Sequence, residues 1–229
     1  MQPLLCLLPS PLLGPALWRP VATRLSADGW SVAEMTRPSV APRSFADVLG
    51  SLLGALPTDR DLVLVPHSNA GMYVPALAAQ RRVIGYVFVD AALPPRPNRV
   101  AAVPASFYDF LARKADRNGM LPPWTHWWDE DISDLFPNVE TRERVEREQQ
   151  RLPLSYFAES PPAPRGWDDK PGAYVAFGDT YATEQADAAA RGWRVTTLPG
   201  KHLHALINPE QVAAEIGDSV RVLVTASGR

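Results

Sequence analysis

Leu62-Val63-Leu64-Val65-Pro66-His67-Ser68-Asn69-Ala70-Gly71 runs from a block of branched apolar residues into a turn, and the stretch carrying Tyr73, Ala76 and Leu77 follows it. The apolar block reads as a buried strand, because β-branched residues without a polar alternate face suit a sheet covered on both sides. The spacing after Gly71 predicts a helix from Met72 onward. A strand that turns sharply into a helix thrusts the residue at its apex outward, and small side chains such as Ala70 and Gly71 let the two elements approach. The apex residue is Ser68, whose hydroxyl becomes a nucleophile only when a base takes its proton and nearby donors hold the resulting oxyanion. Taken alone, the stretch also fits a serine in an ordinary turn, so its neighbours decide the reading.

Upstream, residues 4–8 form a second apolar run, and a helix through Trp18, Val21 and Leu25 stops near Gly29. Residues 31–34 read as a weaker strand. Ser44 is placed to cap a helix carrying Phe45, Val48, Leu52 and Leu53, with Asp47 in its first turn. Downstream, residues 83–89 form a β-rich run ending in Asp90. The alternation lapses over about 91–170 and resumes with a strand at 173–177, a helix around 184–191, a strand at 193–198 and a last helix capped by Asn208 with Pro209 at its start. Strands alternating with helices imply right-handed crossovers and an α/β fold with a mostly parallel sheet and helices on both faces. The 229 residues are read as one domain, 1–229. The interval 91–170 is rich in Pro and Trp, and its aromatics argue against disorder, so it is expected to be a helical lid inserted between two strands.

Near the C-terminus, Leu198-Pro199-Gly200-Lys201-His202 leaves a strand for a loop, and Pro209-Glu210-Gln211-Val212 opens the last helix. At Ser68 and at this loop the sequence resembles the α/β-hydrolase superfamily. Its elbow usually reads Gly-x-Ser-x-Gly, where this chain has Pro66 and Ala70, with Gly71 next. In element order the resemblance begins at the strand that usually comes third, so the family's first hairpin is expected to be missing. The resemblance implies a catalytic triad with Ser68 as nucleophile and His202 as general base, and leaves His204 a packing role. The acid is open. The superfamily's common position, three after Gly178, is Tyr181, which cannot serve. Asp90 at the end of the preceding strand matches an alternative placement, and its other reading is a loop-tying carboxylate. Asp179 and Glu184 are the remaining candidates. For the oxyanion hole, the amide of Asn69 is one expected donor. The second is either Leu12 or Ser10, because Pro11 falls at the usual donating position and has no N–H. His67, Phe107, Tyr108, Trp124, Trp127 and Trp128 are expected around a substrate pocket, and His126 is expected to face solvent.

Composition narrows the rest. With 46% hydrophobic residues and a net charge of -2 spread along the chain, there is no basic stripe for nucleic acid or an anionic membrane. The single cysteine, Cys6, lies in an apolar run and reads as a buried thiol. No spacing points to a metal site, a His-x-His pair at 202 and 204 lacking a third ligand. No cofactor is called for. Prolines interrupt the apolar start of the chain, no basic residues precede it, and no unbroken membrane span follows, so the expected compartment is cytoplasmic. The expected partner is a small-molecule substrate, and the chain is expected to be a monomer or small homo-oligomer. Three functions follow in order. The first is a serine hydrolase, an esterase or thioesterase acting on a small, mainly apolar or aromatic substrate. The second is a lyase or cyclase using the same pocket, and the third a silent binding protein. An aspartate nucleophile is absent from the elbow, which argues against epoxide hydrolase and dehalogenase chemistry.

Overall fold

The computed structural model describes residues 2–36, 40–94, 103–159 and 161–227. Among these, six strands form one sheet: β1 (Leu4–Leu8), β2 (Val32–Glu34), β3 (Leu62–Ser68), β4 (Val83–Ala91), β5 (Gly172–Phe177) and β6 (Arg194–Leu198). Their order is β2-β1-β3-β4-β5-β6, and every pairing is parallel. Every residue of β1, β3 and β5 is buried, which is why β1, β5 and residues 62–65 of β3 read as apolar runs. The edge strand β2 is partly exposed along its length, and its sequence signal is correspondingly weak.

From β1 the chain steps outward to β2 and then returns to the other side of β1 for β3. Right-handed crossovers therefore place α1 (Arg19–Ala27) and α2 (Phe45–Ala55) on opposite faces. The packing agrees: α1 lies against the C-terminal helix (Pro209–Ser227), which covers β4 and β5, while α2 lies against α3 (Val74–Ala78). Two of these helices start as their sequence indicates. Ser44 and Asp47 close a reciprocal capping box on α2, and the Asn208 side chain accepts the Gln211 amide at 3.2 Å. The helix expected after Gly71 is shorter than its periodicity implies. It opens as a 3-10 turn over Asn69–Tyr73 and has only five α-helical residues, Pro75 sitting in its first turn. The reversal of strand order between β1 and β3 creates a crevice at their carboxyl ends, where open α/β sheets hold their ligands.

The segment between β4 and β5 carries α4 (Ala105–Lys114), α5 (Val139–Glu148) and several 3-10 turns. Residues 95–102 and 160 of the expected insertion lie outside the described residues. Its contacts with the sheet domain are specific. Glu148 accepts the Ala16 amide at 2.6 Å and pairs with Arg19, and Glu159 accepts the first amide of α2 at 2.9 Å. At the base, the Arg191 side chain, 1% exposed, lies over the rings of Trp167 and Trp193, its guanidinium carbon 5.1 and 5.6 Å from their centroids. It donates to Asp168 at 3.0 Å, to Asp187 at 2.6 Å and to the Pro94 carbonyl at 2.7 Å. Pro94 stands where the chain leaves β4 and Asp168 where it returns to β5, so one buried cation ties both ends. Cys6 is buried within β1, and burial pushes its thiol up to about 12. No helix among the described residues is long and apolar enough to cross a membrane.

Candidate active site

Ser68 ends β3 with φ 56° and ψ −133°, a conformation costly for a residue with a Cβ. The strain is held by close packing behind the turn. A Cβ on Gly71 would lie 1.8 Å from the Ala92 carbonyl oxygen, so the helix start touches the end of β4 at the one position without a side chain. The glycine that the close approach demands thus sits three residues after the serine, and the buried Ala70 fits at two. Ala92 in turn donates its amide to the Ser68 carbonyl at 3.0 Å.

The loop after β6 brings His202 over this turn. Its Nε2 accepts the Ser68 hydroxyl proton at 3.0 Å, and its Nδ1–H donates to Asp90 Oδ2 at 2.6 Å. The tautomer follows from Asp90, since a carboxylate only accepts. Asp90 is fully buried at the end of β4, and its other oxygen accepts the Phe177 amide at 2.9 Å. It adopts φ 41°, and the next residue is clamped by Tyr174, whose hydroxyl accepts the Ala91 N–H at 3.1 Å and donates to the Ala91 carbonyl at 2.6 Å. Asp179 and Glu184, the alternative carboxylates, both line the adjacent cavity, but neither hydrogen-bonds His202 among the described contacts. Burial raises the Glu184 carboxyl above its ordinary range. His204 packs its ring edge-on against Phe177, with centroids 5.3 Å apart, and its Nε2 lies 3.3 Å from Gln211 Oε1. Gly200 leaves room for that ring, since a Cβ there would approach it to 2.5 Å. His204 thus props the loop from below.

His67 requires a correction. The residue before Ser68 was expected at the pocket, yet it is fully buried and absent from the cavity wall. The loop after β6 covers it, leaving no face of the ring toward the cavity. Burial, with the nearby His202 ring as a lesser cause, holds its pKa well below the usual histidine value, so the ring is neutral. Its Nε2–H donates to the His202 carbonyl at 2.9 Å, and the two rings stack with centroids 4.6 Å apart.

Ser10 is likewise displaced from its expected place. It is fully buried, does not line the cavity beside Ser68, and its hydroxyl accepts the Leu12 amide at 3.3 Å. Leu12 does line that cavity, so of the two candidates only Leu12 presents itself, with its N–H turned toward Ser10. The Asn69 amide begins the 3-10 turn, where helical N–H groups have no intrahelical partner. Its side chain is fixed by Tyr156 from the inserted segment, whose hydroxyl donates to Asn69 Oδ1 at 2.5 Å while accepting from Tyr73.

The cavity has a volume of about 990 Å³. Phe107, Trp124, Trp127 and Trp128 form its apolar wall, and the Trp124 ring centroid lies 6.0 Å from that of His202. Tyr108 is not part of that wall, and His126 is exposed. One wall residue escaped the sequence reading. Tyr181, set aside because it cannot be the acid, turns its hydroxyl to within 3.5 Å of Ser68 Oγ, and its ring centroid is 5.8 Å from that of His202. Its position three after Gly178 was the available signal. Burial raises its phenol well above the usual range, so it stays protonated. No group of three or more potential metal ligands occurs among the described residues.

No family model and no curated protein matches the chain. Solved structures do. An extracellular α/β-hydrolase from a Paenibacillus species, described as sharing structural and functional homology with tobacco salicylic acid binding protein 2, superposes with a TM-score of 0.75 at 16% identity. That match covers 95% of this chain and 98% of the other. Polyneuridine aldehyde esterase matches with a TM-score of 0.73 at 16% identity, covering 95% and 99%. Tomato methylketone synthase I matches with a TM-score of 0.77 at 13% identity, covering 97% and 99%. End-to-end agreement with these chains, joined to the parallel sheet and the strained turn at Ser68, establishes that this chain has the α/β-hydrolase fold.

Proposed function

We propose that the protein is a serine hydrolase that cleaves an ester or thioester of a small, mainly apolar or aromatic substrate through an acyl-enzyme on Ser68. The observation that carries this reading is the continuous Ser68–His202–Asp90 relay, with bonds of 3.0 and 2.6 Å ending on a fully buried carboxylate. In the first step His202 Nε2 takes the Ser68 proton as Oγ bonds to the substrate carbonyl carbon, and the Asp90 carboxylate stabilises the imidazolium. The Asn69 amide holds the developing oxyanion, joined by Leu12 N–H once that donor turns from Ser10. His202 then returns the proton to the leaving oxygen or sulfur. Water, deprotonated by the same nitrogen, releases the acid. The insertion between β4 and β5 acts as a lid whose aromatic wall receives the apolar part of the substrate. Among the fold neighbours, one is named an esterase and another a pyrethroid hydrolase, which accords with ester cleavage.

The test is covalent labelling with a fluorophosphonate, mapped by mass spectrometry. Adduct is expected on Ser68 in the native protein and lost in Ser68→Ala. Absence of any adduct on Ser68 would reject the hydrolase reading and leave a binding role. A lyase or cyclase reading is favoured by one feature: Pro11 has no N–H and the Leu12 N–H is engaged at 3.3 Å, so of the expected oxyanion donors only the Asn69 amide at the start of the 3-10 turn needs no rearrangement. Turnover without an acyl-Ser68 intermediate under rapid quench would select it.

A further inference from the structure

We infer that Tyr181 is a catalytic residue that donates a hydrogen bond to the leaving-group oxygen of the substrate. The inference rests on the serine hydrolase reading and extends it. The sheet order separates two sides of Ser68. The oxyanion donor Leu12 follows β1 on one side of β3, whereas Tyr181 follows β5 on the other, beyond Asp90 on β4. An oxyanion held toward Leu12 and Asn69 therefore points away from Tyr181. What lies on the Tyr181 side is His202 Nε2, the atom that must meet the leaving oxygen. A phenol 3.5 Å from Ser68 Oγ stands within hydrogen-bond reach of an atom bonded to the same tetrahedral carbon. Since the Ser68 proton is directed to His202, the Tyr181 O–H is the donor of that long contact and is free to shift to a better acceptor. It also lines the cavity, so substrate reaches it.

As the tetrahedral intermediate collapses, the bond from carbon to the leaving oxygen breaks and its electron pair stays on that oxygen. The proton comes from His202 Nε2. Tyr181 keeps its own proton throughout and stabilises the charge that accumulates before the transfer completes. The benefit grows with the basicity of the leaving group. Moving the acid to the end of β4 vacates the place after β5, and a phenol there gives the site a second donor that a carboxylate could not supply.

The experiment compares the native enzyme with Tyr181→Phe on esters of one acyl group with phenols and alcohols of rising pKa, p-nitrophenol to ethanol. The expected loss in kcat/KM is small for p-nitrophenol, about threefold or less, and reaches at least about tenfold for ethanol, the effect of one hydrogen bond to a charged oxygen. The dependence of log kcat/KM on leaving-group pKa therefore steepens. A uniform loss along the series would overturn the inference in favour of an oxyanion or purely structural role, and so would an unchanged slope. Fluorophosphonate labelling of Ser68 is measured in parallel on both proteins. Labelling in both with an unchanged slope refutes Tyr181 alone, whereas no labelling of the native protein refutes the hydrolase reading and this inference with it.

Discussion

Replacing Asp90 by Asn tests the relay without changing its shape. The native carboxylate accepts twice, from His202 Nδ1–H at 2.6 Å and from the Phe177 amide at 2.9 Å, in a fully buried position. An amide has one accepting and one donating end, so it cannot satisfy both. If its oxygen keeps the Phe177 amide, its NH2 faces Nδ1 and forces the proton onto Nε2. That nitrogen can then no longer take the proton of Ser68. If the amide flips, the productive tautomer survives, but two buried donors face each other at a cost of about 1–3 kcal/mol. At 1.36 kcal/mol per decade, the productive arrangement is reduced about five- to 160-fold. The imidazolium also loses its counter-charge, and the two effects together bring kcat to about 10³–10⁴ below native, in the range known for such replacements. The assay is the burst and steady-state release of p-nitrophenol from a short ester, with thermal unfolding to show that the fold persists. The reasoning fails if Asp90→Asn stays within about tenfold of native while Asp179→Asn or Glu184→Gln collapses.

Ser68→Ala and His202→Ala are expected to fall to a common floor in the same assay, with the double variant no lower, because members of one unit are not additive; His204→Ala should keep most activity. Gly71→Ala places a methyl 1.8 Å from the Ala92 carbonyl oxygen, so the unfolding free energy from urea denaturation should drop by roughly 3 kcal/mol or more; a value near native would show that the turn can relax. His67 has a depressed pKa when folded, so it stabilises the fold above the unfolded value of 6.5, and that contribution fades as pH falls below it. Urea unfolding should therefore lose up to about 1.4 kcal/mol per pH unit below that point from this group, and His67→Gln should flatten the slope.

Much of the sheet is legible because its strands are covered on both faces and so carry apolar runs, as in β1, β5 and residues 62–65 of β3. Ser68 and the His202 loop are legible for a different reason. Each follows a strand directly, and parallel strands end at one edge of the sheet, which brings residues 134 positions apart within 3.0 Å. The acid is less accessible to such reasoning. Asp90 at the end of β4 and Asp179 and Glu184 after β5 all stand near that edge, and only the three-dimensional path of the loops separates them. Ser10 and His67 are misread for separate reasons: the turn after β1 folds the Ser10 hydroxyl back onto the Leu12 amide, and the His202 loop covers the His67 ring. Tyr181 stands at the position where the superfamily's acid is common, and a phenol there carries no sequence mark of a hydroxyl that faces Ser68.

The Arg191 post bears on how the insertion can change. Both ends of the segment meet at a single buried guanidinium, so the chain between them is in effect a loop already closed at its base. The entropic cost of closing a loop rises only with the logarithm of its length, about 0.6 kcal/mol for each doubling. Residues can therefore be added to or taken from the exposed turns of the segment at little cost in closure entropy, provided the Arg191 cluster and the buried residues of α4 and α5 remain. Edits that also spare Glu148, Tyr156 and Glu159 leave untouched the bonds by which the segment grips Ala16, Arg19, Asn69 and Phe45.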